Sequence, residues 1–348
     1  MLLACATFCV AQLLLGEVKM TIELKPSQPQ IEQTAGAIGQ RVQGSIGLIS
    51  LFLAIFALSF AAIFIRLSER ELGPVATIFN RFWVATVILG LGNLFKTLSE
   101  RHSDDSPLEK QHYTSSDLVL LLVMSVFFSS TLISWAWSLT QTSVANSNLL
   151  HNVTPLFTTV IGWLFLSQSF DGRFLIGMVI AISGSILIGL GDLHIGSDNF
   201  TGDSLAILSA VFSAANLLTV EKLRAKFSAT TILLWCSFVG AVLTFPIVLL
   251  TEDVLFPSSW AGWLAIIAQA LVCQVVGQSL QAYNLKGFSS GFVAVFLLVD
   301  PVITAILAWI IFSEELSPLN WLAFSVVLAG IYIAKPSQGA EKLTIPEN

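Results

Sequence analysis

Val153–Ile188, VTPLFTTVIGWLFLSQSFDGRFLIGMVIAISGSILI, returns without a gap 146 positions later as Val299–Ala334, VDPVITAILAWIIFSEELSPLNWLAFSVVLAGIYIA. Val153 meets Val299, Pro155 meets Pro301, Thr158 meets Thr304, Trp163 meets Trp309, Ser167 meets Ser313 and Gly184 meets Gly330. The register reaches back to Trp137 opposite Tyr283 and Leu139 opposite Leu285. A unit repeated over such a distance predicts a chain of two copies. Many transporters are built from such halves, with the binding site between them.

The surroundings of the repeat are apolar. Of 348 residues 11% are charged and 55% hydrophobic, and the mean hydropathy is +0.82; ordinary soluble domains carry about 25% charged residues. An all-α polytopic membrane protein is the expected class. Stretches of about 20 apolar residues fall at 46–65, 74–95, 117–139, 145–167, 173–190, 203–220, 229–250, 259–283, 288–312 and 318–334, ten in all. They divide the chain into an N-terminal extension (1–45), a first five-helix repeat (46–190), a second (203–334) and a C-terminal tail (335–348). The polar run 21–43, with Pro26 and Pro29, reads as a disordered tail. The first sixteen residues lack the basic start of a signal peptide, and Met20 is an alternative start. Cys5, Cys9, Cys236 and Cys273 show no metal-site or disulfide spacing and read as packing residues.

Lys and Arg set the expected direction. With the N-terminus in the cytoplasm, thirteen fall on the inner side, only Arg66 and Arg70 on the outer side, and Arg81 inside a span. Both termini are then cytoplasmic, as in a bacterial inner-membrane protein. Five spans per half make the second copy enter from the opposite side, so the halves are inverted repeats.

The paired segments from Pro155 and Pro301, the early Arg81 of the second span and the run LTQTSVANSNLL (139–150) together resemble the repeated unit of the EamA family of the drug/metabolite transporter superfamily. The resemblance covers about residues 46–335. It implies ten helices, a cavity between inverted halves, and usually export of amino acids, metabolites or drugs. The family's acidic residue at the end of the repeat's fourth helix is present as Glu314 but replaced by Gln168 in the first half. The membrane-embedded first-helix glutamate of small multidrug transporters is missing, so their proton coupling is not carried over.

Intramembrane charge costs about 2.5–3.5 kcal/mol on insertion scales and so marks candidate sites. Asp300 lies about 18 Å into the ninth span, before Pro301, which frees a backbone carbonyl one turn earlier and lets the helix kink. It reads either as a coupling site for a proton or cation or as a buried acid paired with a neighbouring helix. Asn148, His151, Asn152 and Pro155 share one face of the fourth span at spacings of three and four. They offer a substrate surface, with His151 also a coupling group, or simply helix-to-helix hydrogen bonds. Arg81 reads as a snorkelling anchor, as a two-point clamp on a carboxylate or phosphate, or as the partner of Asp300. Gln274, Gln278 and Gln281, with Asn216 of the sixth span, are neutral donors and acceptors for a substrate or bridges between helices. Trp135, Trp137, Trp260, Trp263, Trp309 and Trp321 suit an aromatic belt, with Trp137 also a candidate cavity lid. Gly177, Ala181, Ser185 and Gly189 form a small-residue face for close packing inside the bundle or against a second copy.

No GxxxxGK[ST] phosphate loop is present, which excludes ATP drive by this chain alone. No cluster of nucleophile, base and metal ligands supports an enzyme, so no catalytic residue, cofactor, metal or nucleic-acid partner is expected. Paired proline-interrupted helices suit alternating access better than a channel constriction. The expected function is secondary transport, in the export direction, of small metabolites such as amino acids or drug-like compounds. The alternative is a nucleotide-sugar or phosphorylated-metabolite exchanger, which would need several basic cavity residues where this chain offers Arg81.

Overall fold

The computed structural model describes residues 29–68, 70–101, 113–189, 200–312 and 316–335, all helix and connecting turns. Two units are distinguished, Met1–Ile49 and Ser50–Asn348; the first is helical from Pro29, and the second holds the polar cavity and both broken helices. The helices are α1 Pro29–Ser68, α2 Pro74–Arg101, α3 Ser115–Gln141, α4 Val144–His151, α5 Thr154–Leu166, α6 Gly172–Gly189, α7 Phe200–Leu223 and α8 Ala229–Thr251. After them come α9 Trp260–Ala268, a π-helical segment Gln269–Gly277, α10 Gln278–Asn284, α11 Ser290–Phe296, α12 Val299–Phe312 and α13 Pro318–Ala334.

Apolar content drives these segments into lipid, where only an internally bonded helix satisfies the backbone; polar punctuation sets their starts. Ser143, Ser228, Ser259, Ser289 and Ser317 each cap a helix by accepting a hydrogen bond from the amide three residues on. Ser143 and Ser289 are repeat partners, so the two copies open their broken helix the same way. Part of the polar run expected to be disordered is instead helical: α1 begins at Pro29, whose fixed φ suits a first turn, and Ala and Gln continue it. Residues 1–28, the 102–112 part of the loop after the second span, and Glu314 lie outside the described residues.

Among the described residues eight helical stretches are long and apolar enough to cross a bilayer, and they coincide with eight of the expected spans. The other two, Gly172–Ile188 and Pro318–Ala334, are shorter apolar helices. A 17-residue helix reaches only about 26 Å, a little less than a 30 Å hydrocarbon core. The two short helices are repeat partners, and they pack on each other. A Cβ on Gly177 would lie 2.3 Å from the Ala334 nitrogen, and one on Gly330 would lie 2.3 Å from that of Ala181. The small-residue face of α6 therefore packs inside the bundle, glycine against backbone.

α3 lies along α7 and α8, and α2 along α8. Phe82 joins these layers, edge-on to Phe128 of α3 at 5.8 Å and against Gly240 of α8, where a Cβ would come within 2.8 Å of the ring. One apolar cluster gathers Val75, Phe79, Val248, Ile266 and Ala270; a second gathers Ile55, Met178, Leu298, Val302 and Val327. The polar residues of interest lie between and beside these clusters.

Candidate functional site

Both repeats break their fourth helix at the same place. α4 gives way to α5 through turn residues Asn152 and Val153, and α11 to α12 through Leu297 and Leu298; Asn152 and Leu298 are partners under the 146-residue shift. The prolines follow each break at the second and third helical positions, where a missing N–H costs nothing. At the second break the Leu297 carbonyl accepts the Asp300 amide at 2.9 Å. Asp300 thus sits in the first turn of α12, where the exposed amide ends of the helix favour a carboxylate. Its repeat partner, Thr154, spends its hydroxyl on the His151 carbonyl at 2.7 Å.

The first break faces α7. His151 Nδ1 and Ser209 Oγ are 2.7 Å apart, and Trp135 donates its indole N–H to Asn148 Oδ1 at 3.2 Å. Asn148 is exposed and Asn152 half-buried, so the predicted polar stripe is divided: His151 turns into the bundle and Asn148 outward. Seven residues along α7 from Ser209, two turns and about 10.5 Å on the same face, comes Asn216. It lines a narrow cavity with Gln278, Gln281, Cys236, Phe128 and Met124, among others, between α3, α7, α8 and α10. The cavity holds about 20 Å³, room for one water. Asn216 and Gln281 are 8% and 6% exposed, and Asn216 Oδ1 and Gln281 Oε1 find no hydrogen-bond partner among the described residues. Two buried acceptors left unused beside one cavity are costly in an apolar bundle, on the order of 1–3 kcal/mol each. An incoming N–H or O–H would relieve both.

Arg81 is buried, 5% exposed, rather than extended toward an interface. Its Nε donates to Gln274 Oε1 at 2.9 Å, and Gln274 continues to Ser237 at 3.4 Å. Among the described residues Arg81 and Asp300 form no ion pair; Cys273 stands within electrostatic reach of both and touches the Ala57 carbonyl at 3.4 Å. Two residues along α1, Ser59 donates to Asp300 Oδ1 at 2.5 Å, and Thr304 approaches the Ser59 carbonyl at 3.5 Å. Asp300 therefore faces α1 with a hydroxyl and, among the described residues, no cation paired with it. Trp137 packs against the cluster around Phe79 and Ala270, away from the amide cavity. Trp260, Trp309 and Trp321 are exposed, as a belt requires.

The structure thus brings Asn216, Gln278 and Gln281 together, keeps His151 one α7 interval away, and holds Arg81 and Asp300 on separate partners. Sequence reasoning missed those partners, Ser59 and Ser209, since single serines in apolar helices carry no distinguishing pattern. It also missed Glu221, buried at 7% exposure, whose Oε2 accepts the Ser290 amide at 3.0 Å and Gln168 Nε2 at 3.3 Å. An acid inside the EKLR run at the end of α7 was the available signal.

A family model described as the EamA-like transporter family matches residues 45–190 and 200–334. An uncharacterized transporter of Archaeoglobus fulgidus is 25% identical over 84% of this chain and 97% of its own length. The pseudopaline exporter CntI of Pseudomonas aeruginosa is 21% identical over 63% and 76%, and the GDP-mannose transporter GONST5 of Arabidopsis thaliana 25% identical over 60% and 62%. A solved crystal structure shares the fold with a TM-score of 0.71 at 14% identity, over 84% of this chain and 97% of that one.

Proposed function

The chain belongs to the EamA-like transporter family, and from that premise we propose that it is a secondary exporter of small metabolites bearing amino groups, such as amino acids. It is an integral membrane transporter and not an enzyme. In this reading ten spans form two inverted five-helix halves with both termini in the cytoplasm of a bacterial cell. The halves rock about the breaks at Asn152–Val153 and Leu297–Leu298 to expose the cavity to each side in turn. The observation that carries the substrate class is the pair of unused acceptors, Asn216 Oδ1 and Gln281 Oε1, which an ammonium group would satisfy. Asp300 is the coupling site for a proton or cation, with Ser59 as its ligand partner, and His151 is the second candidate. Arg81, held by Gln274, is released to a substrate carboxylate only when the halves move.

The likeness to a GDP-mannose transporter favours one rival, a nucleotide-sugar exchanger, but a diphosphate needs basic groups and the lining of this cavity is neutral. Proteoliposome uptake and efflux against a metabolite panel, with imposed pH and cation gradients, tests the reading. Transport of amino-bearing compounds should fall at least about tenfold in Asn216→Leu with Gln281→Leu, each loss removing a buried hydrogen bond to a charged donor. Equal transport of substrates without N–H donors, or full activity in the double variant, would refute it.

A further inference from the structure

The two ends of α8 carry cross-links that neither the family nor the cavity explains. At its C-cap, Glu252 reaches the start of α2 and accepts the Val75 and Ala76 amides at 2.8 and 3.0 Å. Pro74 has no amide to offer, and Gly73 has no side chain with which to cap its own helix. In return Glu71, just before α2, reaches the start of α9. It accepts the Ser258 and Ser259 amides at 2.9 and 3.0 Å and both of their hydroxyls. Each carboxylate thus caps a helix of the other half. Each also occupies the space beside a glycine: a Cβ on Gly73 would lie 2.3 Å from the Glu252 carboxyl carbon, and one on Gly262 would lie 2.9 Å from Glu71 Oε2.

At the other end of α8, two residues before its cap Ser228, Lys226 forms an ion pair with Asp117 in the first turn of α3. Phe227 beside it stacks on Tyr113 at 5.3 Å. These contacts too run from the second half to the first. The 23 residues of α8 hold the two sets about 34 Å apart, at opposite ends of the bundle. Counting from the helix that follows each, Glu71 stands three residues before Pro74 as Lys226 stands three before Ala229. The same position of the repeated hairpin supplies a carboxylate at one end and an ammonium at the other.

We infer that Glu71 with Glu252 is the latch closing one mouth of the transport path, and Lys226 with Asp117 the latch closing the other. This rests on the alternating-access reading: a mouth opens only if the halves part there, and these are charged bonds that parting must break. Both are made in the present structure, in keeping with a cavity that has room for only about one water. The chemistry differs between the mouths. The first is held by anions on helix amides, the second by an exposed ion pair that salt screens.

The test uses full-length protein with all four native cysteines replaced and Gln278→Cys as a reporter in the cavity, labelled without substrate by an impermeant thiosulfonate from either face of oriented vesicles. Glu71→Gln with Glu252→Gln should raise labelling from the Glu71 face at least about tenfold and lower it from the other, since losing the charge on even one of the six hydrogen bonds these carboxylates accept is worth about that much. Gly73→Ala, which drives a Cβ into the Glu252 carboxylate, should shift labelling the same way. Asp117→Lys alone should favour the opposite face, and Lys226→Asp added to it should restore the original ratio. Unchanged ratios, or equal gains from both faces in every variant, would overturn the latch. A latch that fails this test while proteoliposomes still transport leaves the transport reading intact, so the two failures are distinguishable.

Discussion

Gly330→Ala is the sharpest test of how the halves are joined. The added methyl would sit 2.3 Å from the Ala181 nitrogen, 2.7 Å from its Cα and 2.7 Å from the Gly177 carbonyl, where carbon contacts are comfortable only from about 3.5 Å. These are backbone atoms of a facing helix, so no side-chain rotation can give way, and α13 must back off by about 1 Å. A gap of that size forfeits a quarter to a half of each dispersion contact along the interface. In lipid this packing is not reinforced by a hydrophobic drive between helices. Overpacking of this kind costs about 1–3 kcal/mol; we expect about 2, a roughly 30-fold shift in the unfolding equilibrium. Denaturant titration in mixed micelles, followed by tryptophan fluorescence, measures it. Gly90→Ala is the control, since a Cβ there meets nothing within 4 Å and should be neutral or stabilising by up to about 1 kcal/mol. If both variants unfold alike, the α6–α13 contact is not the close one described.

Asp300→Asn should abolish any pH or cation dependence of transport, and Ser59→Ala, which removes its hydroxyl partner, should shift that dependence without abolishing it; retained dependence in proteoliposomes with Asn at 300 eliminates this site. The hydroxyl and amide of Ser259, reinforced by Ser258, hold the Glu71 carboxyl below its ordinary value of 4.5. The Glu71 contact is then fully present above about pH 4.5 and is lost as pH falls through the lowered value, so in a Glu252→Gln background reporter labelling from the Glu71 face should rise further only in acid below 4.5. A rise centred above that value would contradict the geometry. Gln274→Leu leaves the buried Arg81 without its amide partner and should destabilise the protein by about 1.5–3 kcal/mol, read by the same denaturant titration; no loss would show that Arg81 has another anchor.

Hydropathy was enough to place the apolar helices, eight of which among the described residues are long enough to cross a bilayer, because lipid demands uninterrupted apolar helices and leaves little freedom in where they fall. The breaks in the fourth helix of each copy were legible for a related reason: Pro155 and Pro301 remove a donor at matching positions. The pairings were not. Arg81 meets Gln274 across 193 residues and Asp300 meets Ser59 across 241, and such choices are made by which helices neighbour one another, which local spacing does not encode. Periodicity placed Gln278 and Gln281 on one face but could not say that Asn216 of α7 would complete it. The helix at 29–43 was obscured by its polarity, which resembles that of a disordered tail although its alanines and glutamines are good helix formers.

The π-helical segment Gln269–Gly277 gives this bundle an unusual kind of adjustability. A π turn carries more residues than an α turn, so the stretch stores surplus chain between the Trp260 end of its span and the cavity amides. Removing one residue there lets the stretch tighten toward α geometry, which shifts Gln278 and Gln281 relative to the Trp260 end by less than the roughly 100° and 1.5 Å that a deletion imposes on a regular α-helix. Gln278 and Gln281 would then point to different neighbours with no change in their identity. Selectivity can therefore change through single-residue insertions or deletions in a stretch that carries Gln274, the partner of Arg81, rather than in the cavity amides themselves, a route that comparison of aligned cavity residues would overlook.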